Sequence, residues 1–302
     1  MKNNLFIFLF IALTACSKVV EIDVPFDKPS IVVNSIIQPD TFMTAKLSLS
    51  NFILDSKPYY DTIMDATVEV YEDGNYLGAL NYENDYNYSN HSLYPKAGSA
   101  YELRVAKPGY EMVTAKTTVP KNPPQFEIIN IQDITGEYGN TQKELTIKIT
   151  DIPDTSYYEF FISQYQYVYL IINNVSVVVD STLLRIGMVT SNLLVSPDGD
   201  SYYSNSFLFD DVLFQNTSIT LKITLPNLTY NYTLEKMPPD INLYISMRVI
   251  NEDYYKYIVS LEKQQESEWT PFAEPVFVYN NINNGLGIFS SYREYSMDTI
   301  VH

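Results

Sequence analysis

The sequence has one cysteine, two histidines, ten glycines and few positive charges, and each scarcity closes a class of function. With Cys16 alone, no disulfide can form within the chain, so its domains must stand by burying apolar surface, which 302 residues suffice to do. The histidines are His91, in a loop pattern, and His302; they can build neither a Ser-His-acid triad nor a histidine zinc site. The Gly-x-Ser-x-Gly elbow and the Gly-rich phosphate loop are both absent. Lys and Arg number 19 against 36 Asp and Glu, and the net charge of −17 leaves no basic footprint for nucleic acid. The same charge opposes direct docking on anionic lipid and reads as a solvated acidic surface. Acidic residues are plentiful enough for two-carboxylate chemistry, but nothing marks out a pair. The expectation is therefore no enzyme, no cofactor and no bound metal.

What is present begins with an address. Lys2 precedes an apolar run from Leu5 to Leu13, too short to cross a bilayer permanently but of secretory-signal length. It ends in Leu13-Thr14-Ala15-Cys16, which resembles the bacterial lipobox. That resemblance implies diacylglycerol on the Cys16 thiol, cleavage between Ala15 and Cys16, and acylation of the new amine. Two or more acyl chains anchor a protein stably where one does not. Residues 1–15 are then a signal peptide and 16–27 a lipidated tether. Glu21 and Asp23 resemble the acidic export signal that follows the cysteine in surface lipoproteins of the Bacteroidota, although Val19 and Val20 interrupt it. An outer-membrane location facing the cell exterior is favoured, with the periplasmic face as the alternative.

The mature chain reads as mainly β. It has 27 Tyr and 15 Phe, many Val, Ile and Thr, and few Ala or Gly, the residue set that fits a pleated surface. Strand patterns run over Ile31–Ile37, Thr44–Phe52, Ala66–Tyr71, Tyr101–Val105 and Glu111–Val119, with turns at 72–74 and 107–110. The polar segment Asn84–Asn90 reads as a loop or short edge. Residues 28–119 are thus expected to form an N-terminal β-sandwich similar to immunoglobulin-like or transthyretin-like modules. Three prolines within 120–124 make a linker. A larger C-terminal β-sandwich-like domain, 125–302, follows, with alternating strands at 143–149, 218–225 and 242–250. Tyr157–Ile172 and Val175–Val179 are more continuously apolar, as strands buried on both faces would be. One short helix is expected near 253–266, capped by Asn251, with Glu252 and Asp253 in its first turn and Tyr254, Ile258 and Leu261 on one stripe.

Tyrosine supplies the candidate binding residues. Clusters occur at Tyr82, Tyr86, Tyr88 and Tyr94, at Tyr165, Tyr167 and Tyr169, and at Tyr202 and Tyr203. Tyr offers large rigid area with a polar tip, which suits a partner interface or a platform for sugar rings. The plainer reading is strand preference, and it weighs more for the Tyr165–Tyr169 group. Tyr86, Tyr88, Tyr202 and Tyr203 are kept as the possible surface binding residues. Asp198, Asp200, Asp210 and Asp211 match no calcium-loop spacing and read as turn chemistry, although whether the Asp198–Asp200 loop takes an ion stays open. In the run from Pro271 to Phe289, two prolines set an extended edge, Gly285 and Gly287 open special backbone angles, and Phe272, Leu286 and Phe289 are expected to plug a core.

That run, together with the Leu13–Cys16 motif, Val32–Ile37, Asp65–Val70 and Asp253–Tyr257, resembles the Bacteroidota lipoproteins known as domain of unknown function 4249. The resemblance covers nearly the whole mature chain and carries no catalytic residues with it. It implies an outer-membrane lipoprotein that works beside a TonB-dependent receptor, as a ligand-capture or accessory partner in uptake. The alternative is a surface glycan-binding or adhesive lipoprotein that acts without a transporter.

Overall fold

The computed structural model describes residues 28–51, 59–153, 156–172, 175–196, 202–225, 241–268, 274 and 276–301. Ala15, Cys16, Asp198, Asp200 and Phe272 therefore lie outside the described residues.

Where the sequence alternates, strands form. The N-terminal part contains β1 (Ile31–Ile37), β2 (Met43–Leu49), β3 (Thr67–Glu72), β4 (Asn75–Asn84), β5 (Asn87–Asn90), β6 (Ala100–Ala106) and β7 (Val113–Thr118). Every second residue of β1 is buried, and Leu47, Val68, Val70, Leu103, Val105 and Val113 meet in one core. The β3–β4 turn puts Asp73 and Gly74 at positive φ, the backbone that lets a two-residue hairpin follow the right-handed strand twist.

Beyond the 120–124 segment come β8 (Gln125–Thr135), β9 (Thr141–Thr150), β10 (Tyr157–Ile172), β11 (Val175–Arg185), β12 (Met188–Thr190), β13 (Tyr202–Ser204), β14 (Phe207–Asp210), β15 (Ser218–Leu225) and β16 (Ile241–Ile250). Helix α1 (Glu252–Glu268) and β17 (Leu286–Val301) complete the described chain. One sheet has twelve strands, ordered β11-β10-β16-β17-β1-β2-β5-β4-β3-β6-β7, with β14 paired to β10 off that path. The other has five, ordered β13-β12-β15-β9-β8. The five-stranded sheet packs on the β10-β16-β17 end of the larger one. Leu145, Ile147, Leu221 and Ile223 from one side meet Phe160, Ile162, Ile245 and Met247 from the other. Among the described residues the fold is mainly β and sandwich-like, with one helix, as expected from the sequence.

The C-terminal strand ties the parts together. β17 runs parallel to β1 from Leu286 to Ser291, then antiparallel to β16 as far as Val301. Ile282 and Phe289 thereby join the core of β1–β7. Leu286, expected in a core, is exposed instead, because it stands at the first position of β17, ahead of the buried run that starts at Ile288. Buried hydroxyls and amides seal the join. Asn251 Nδ2 donates to Thr117 Oγ1 at 2.7 Å, Ser290 Oγ donates to Asn251 Oδ1 at 2.5 Å, and Thr117 Oγ1 lies 3.0 Å from Ser291 Oγ. The same Asn251 Oδ1 accepts from Tyr254 N at 2.9 Å and caps α1, so one side chain serves both the helix and the seam.

β10 corrects the expectation of a strand buried on both faces. Tyr157–Gln164 lies between β16 and its neighbours, and Tyr158, Phe160 and Ile162 enter the core while Glu159 faces α1. From Tyr165 outward both faces are exposed, and so is β11 at Val177–Val179.

Candidate interaction surface

The exposed half of β10 and its partner β11 form a two-stranded ribbon. β10 pairs β11 from Ser163↔Arg185 to Ile172↔Val175, with a register shift between Val168 and Tyr169. β16 accompanies β10 only from Tyr157 to Gln164. Beyond that point Leu170, Ile171, Ile172, Val177, Val178 and Val179 stand open to water, Ile171 at 75 % of its possible exposure. Successive strand residues point to opposite sides, so the ribbon is apolar on both faces. Asp180 is the only charged residue between Gln164 and Arg185, in a chain of net charge −17. Water does not favour such a surface: covering a side chain of this kind contributes about 1.5–3 kcal/mol when complete, and a two-stranded ribbon is marginal on its own. An exposed, contiguous apolar patch of this sort makes the ribbon the candidate interaction surface.

An ion network around the buried Glu159 fixes the ribbon's root. Glu159 Oε1 accepts from Arg185 Nη1 at 2.6 Å, its Oε2 accepts from Arg248 Nη1 at 2.9 Å, and Tyr254 Oη donates to the same Oε2 at 3.3 Å. Arg248 Nε also donates to Glu294 Oε2 at 2.7 Å. These residues are register neighbours, Glu159↔Arg248↔Glu294 across β10, β16 and β17, so the pairing follows from the sheet. Phe161 lies under both guanidinium groups, at 3.8 Å from Arg185 and 4.7 Å from Arg248. Burial, and after it Glu159, pushes the Tyr254 hydroxyl up to about 12. For Arg248 the surrounding carboxylates outweigh burial and hold the guanidinium firmly charged. Arg185 belongs to β11, so the network clamps the ribbon onto the sheet beneath α1.

A second concavity lies at the join of the two cores. It is a cleft of about 470 Å³ bordered by Asp73, Tyr101, Glu102, Lys116, Asn251 and Asp253. A neighbouring cleft of about 350 Å³ shares Thr118, Asn251 and Glu252 with it. Tyr101 Oη donates to Glu72 Oε1 at 2.7 Å, and burial first, then Glu72, raises that hydroxyl to about 12. The walls of the larger cleft present carboxylates, the Asn251 amide and the Lys116 ammonium, groups that bind polar ligands by hydrogen bonds.

The tyrosines picked from the sequence do not assemble. Tyr88 is buried at 1 % exposure, which corrects its place among surface binding residues; its hydroxyl donates to Ile63 O at 3.0 Å and accepts from Ala66 N at 3.2 Å. The segment around it is a hairpin, β4 to β5, and Tyr88, set opposite Tyr82, turns its ring into the core. Tyr86 sits in the turn at positive φ, half-buried, and its hydroxyl donates to Tyr60 O at 3.1 Å. Tyr202 and Tyr203 are exposed on β13, in the other sheet. As adjacent strand residues they face opposite sides and cannot form one stacking platform. Tyr202 lies against Phe207, and the Tyr203 ring covers Gly187, where any β-carbon would collide with it. Asp211 Oδ2 accepts from Ser156 N at 2.8 Å and Asp210 Oδ1 from Val212 N at 3.1 Å, so both serve their turn. Sequence reasoning missed Glu159, Arg185, Arg248 and the ribbon. The available signal was the nearly charge-free run from Gln164 to Leu184.

A model of the family described as Domain of unknown function (DUF4249) matches residues 17–298. Among curated proteins none matches this chain.

Proposed function

The chain belongs to the DUF4249 family, and from that premise we propose that it is a non-enzymatic Bacteroidota outer-membrane lipoprotein, anchored through Cys16, that serves a TonB-dependent receptor as an accessory or ligand-capture partner in nutrient uptake. The observation that carries this reading is the apolar β10–β11 ribbon, a contact element without a covering partner among the described residues. Its position supports the same reading. The described chain begins just before β1, whose first residues pair with the Leu286 end of β17. The ribbon leaves the sheet at the opposite end, past the Val301 pairing with Ile241. β17 has 16 residues, so these ends stand roughly 50 Å apart along the strands. A protein held at one end and apolar at the other is arranged to meet a second protein. The cleft beside Asn251 gives the captured ligand a place to rest.

Purification from native membranes under mild detergent tests the reading. Recovery of an outer-membrane barrel in a fixed ratio with the chain is expected, with Cys16→Ser releasing the chain from membranes. Recovery of the chain alone overturns it. Protease treatment of intact cells then assigns the face: digestion places the chain outside, protection until the outer membrane is broken places it in the periplasm. The rival reading, a glycan-binding or adhesive lipoprotein independent of a transporter, draws on the exposed rings of Tyr202 and Tyr203. Binding on a glycan array by a chain that recovers no barrel favours it.

A further inference from the structure

We propose that the outer edge of β11 takes up an extended, largely apolar strand from a partner protein, with a Lys or Arg of that strand set opposite Asp180. The proposal rests on the reading of this chain as a docked accessory subunit, and it names the mode of contact and the chemistry of the partner.

Edge position comes first. β11 ends the twelve-stranded sheet and pairs only β10 among the described residues. Each open strand edge presents backbone N–H and C=O groups ready to pair with another chain, and folded proteins guard such edges with charge, proline, shortness or closure. The other ends of the two sheets are guarded. β7 curls back on β17 through Thr117, Ser291 and the Thr114–Asn283 bridge. β13 has three residues. β8 carries Glu127, ion-paired to Lys148 at 3.0 Å, and Asp133, ion-paired to Lys143 at 2.6 Å. β11 has eleven residues, no proline and, short of Arg185 at its root, one charge. Among the described residues it is the least guarded edge, interrupted by Asp180 and by the register shift at Val179 alone.

Occupancy follows from charge and position. In a second copy of this chain, full-length antiparallel pairing of β11 with itself is centred on Asp180, which sets two carboxylates directly opposite and adds two bodies of −17. Like charges facing across strands destabilise the pair. The anchoring bilayer is disfavoured by distance: the tether reaches at most roughly 40 Å, and the ribbon tip lies beyond the far end of β17. Hydrocarbon also offers nothing to the open N–H and C=O groups of a strand edge. A partner strand satisfies them. Its alternate side chains extend the apolar faces to which Val177, Val178 and Val179 contribute, and a basic residue answers Asp180.

Photo-crosslinking in native membranes tests this with the full chain. A crosslinker is placed in turn at Val177, Val178, Val179, Ser181 and Leu183 on β11, and at Leu170 and Ile171 on β10. Strand addition is expected to give β11 adducts that map to one short partner segment in regular register. Asp180→Lys is expected to lower recovery of the partner about tenfold or more, whereas Asp180→Asn lowers it less. Unchanged thermal unfolding in both variants shows that folding is not the cause. If the native chain recovers a partner that Asp180→Lys leaves in place, or if adducts scatter equally from β10 and β11, the strand-addition proposal fails and the accessory reading stands. If the native chain recovers no partner, both fail. Self-adducts joining two β11 strands, or binding of the Cys16→Ser chain to neutral lipid vesicles through the ribbon, also overturn the proposal.

Discussion

Glu159 and Arg248 face each other across β10 and β16, 2.9 Å apart, with the Glu159 side chain 4 % exposed and that of Arg248 16 %. The pair holds the floor under α1 and, through Arg185, the root of the ribbon. A buried pair of this kind adds little net stability over an apolar substitute, but removing one partner leaves the other charge stranded. Glu159→Ala is therefore expected to cost about 3–5 kcal/mol in urea unfolding. Glu127→Ala, which breaks the exposed pair with Lys148, is expected to cost less than about 1 kcal/mol. Equal effects of the two would refute the ranking.

Gly287 is fixed by backbone. Its φ of +108° suits glycine, and a β-carbon there would lie 2.1 Å from Val33 O on β1. Since Val33 and Gly287 are register partners in the parallel β1–β17 pairing, Gly287→Ala forces the strands apart. A loss of about 3 kcal/mol or more is expected from strain and clash together. Gly74 has a φ of +83° with open space around it, so Gly74→Ala should cost only about 1 kcal/mol. Thermal melts of the two variants separate clash from conformational preference.

Much of this architecture is legible in the residues, and the exceptions have physical causes. β1, β15 and β16 alternate and form where the alternation lies. α1 starts at Glu252 because Asn251 caps it, and both are plain in sequence. β17 is not legible. Four consecutive residues, Ile288 to Ser291, are buried, and two of them are serines whose hydroxyls find partners only in the folded seam. No local pattern distinguishes that strand from a polar loop. The ribbon is misread for the opposite reason. Apolar continuity says that a strand is covered on both sides without saying by what, and here nothing described in the chain does the covering. Tyr88 is missed because its polar surroundings read as a loop, whereas the β4–β5 hairpin carries the ring into the core.

Glu262 gives the fold a pH response. It sits half-buried on α1, and burial first, then Glu266 and Glu159, raises its carboxyl above the ordinary 4.5. A carboxyl raised in the folded state holds more protons than in the unfolded chain, so its contribution to stability falls as pH rises from about 4.5 through the raised value. Glu262→Gln is expected to raise the melting temperature at neutral pH and to flatten this fall. Glu72 acts in the other direction. Its hydrogen bonds from Lys96 and Tyr101 outweigh burial and lower its carboxyl, so its contribution is present above 4.5 and lost as pH falls through the lowered value. Melting curves from pH 2 to pH 8 on the native chain, Glu262→Gln and Glu72→Gln give the signs directly.

The ribbon predicts a separation between stability and association. Leu170 and Ile171 touch little and expose much, so Leu170→Ser with Ile171→Ser should change unfolding free energy by less than about 0.5 kcal/mol each, as surface substitutions do. The same change removes apolar area on both faces of β10, because the two residues alternate. Binding of a hydrophobic dye to the purified Cys16→Ser chain should fall, and solubility at high concentration should rise. A large loss of stability would mean that these side chains are packed in the free chain, and the surface would then have no claim to a partner. If stability holds while dye binding falls, the ribbon is maintained in the folded chain for contact with another molecule.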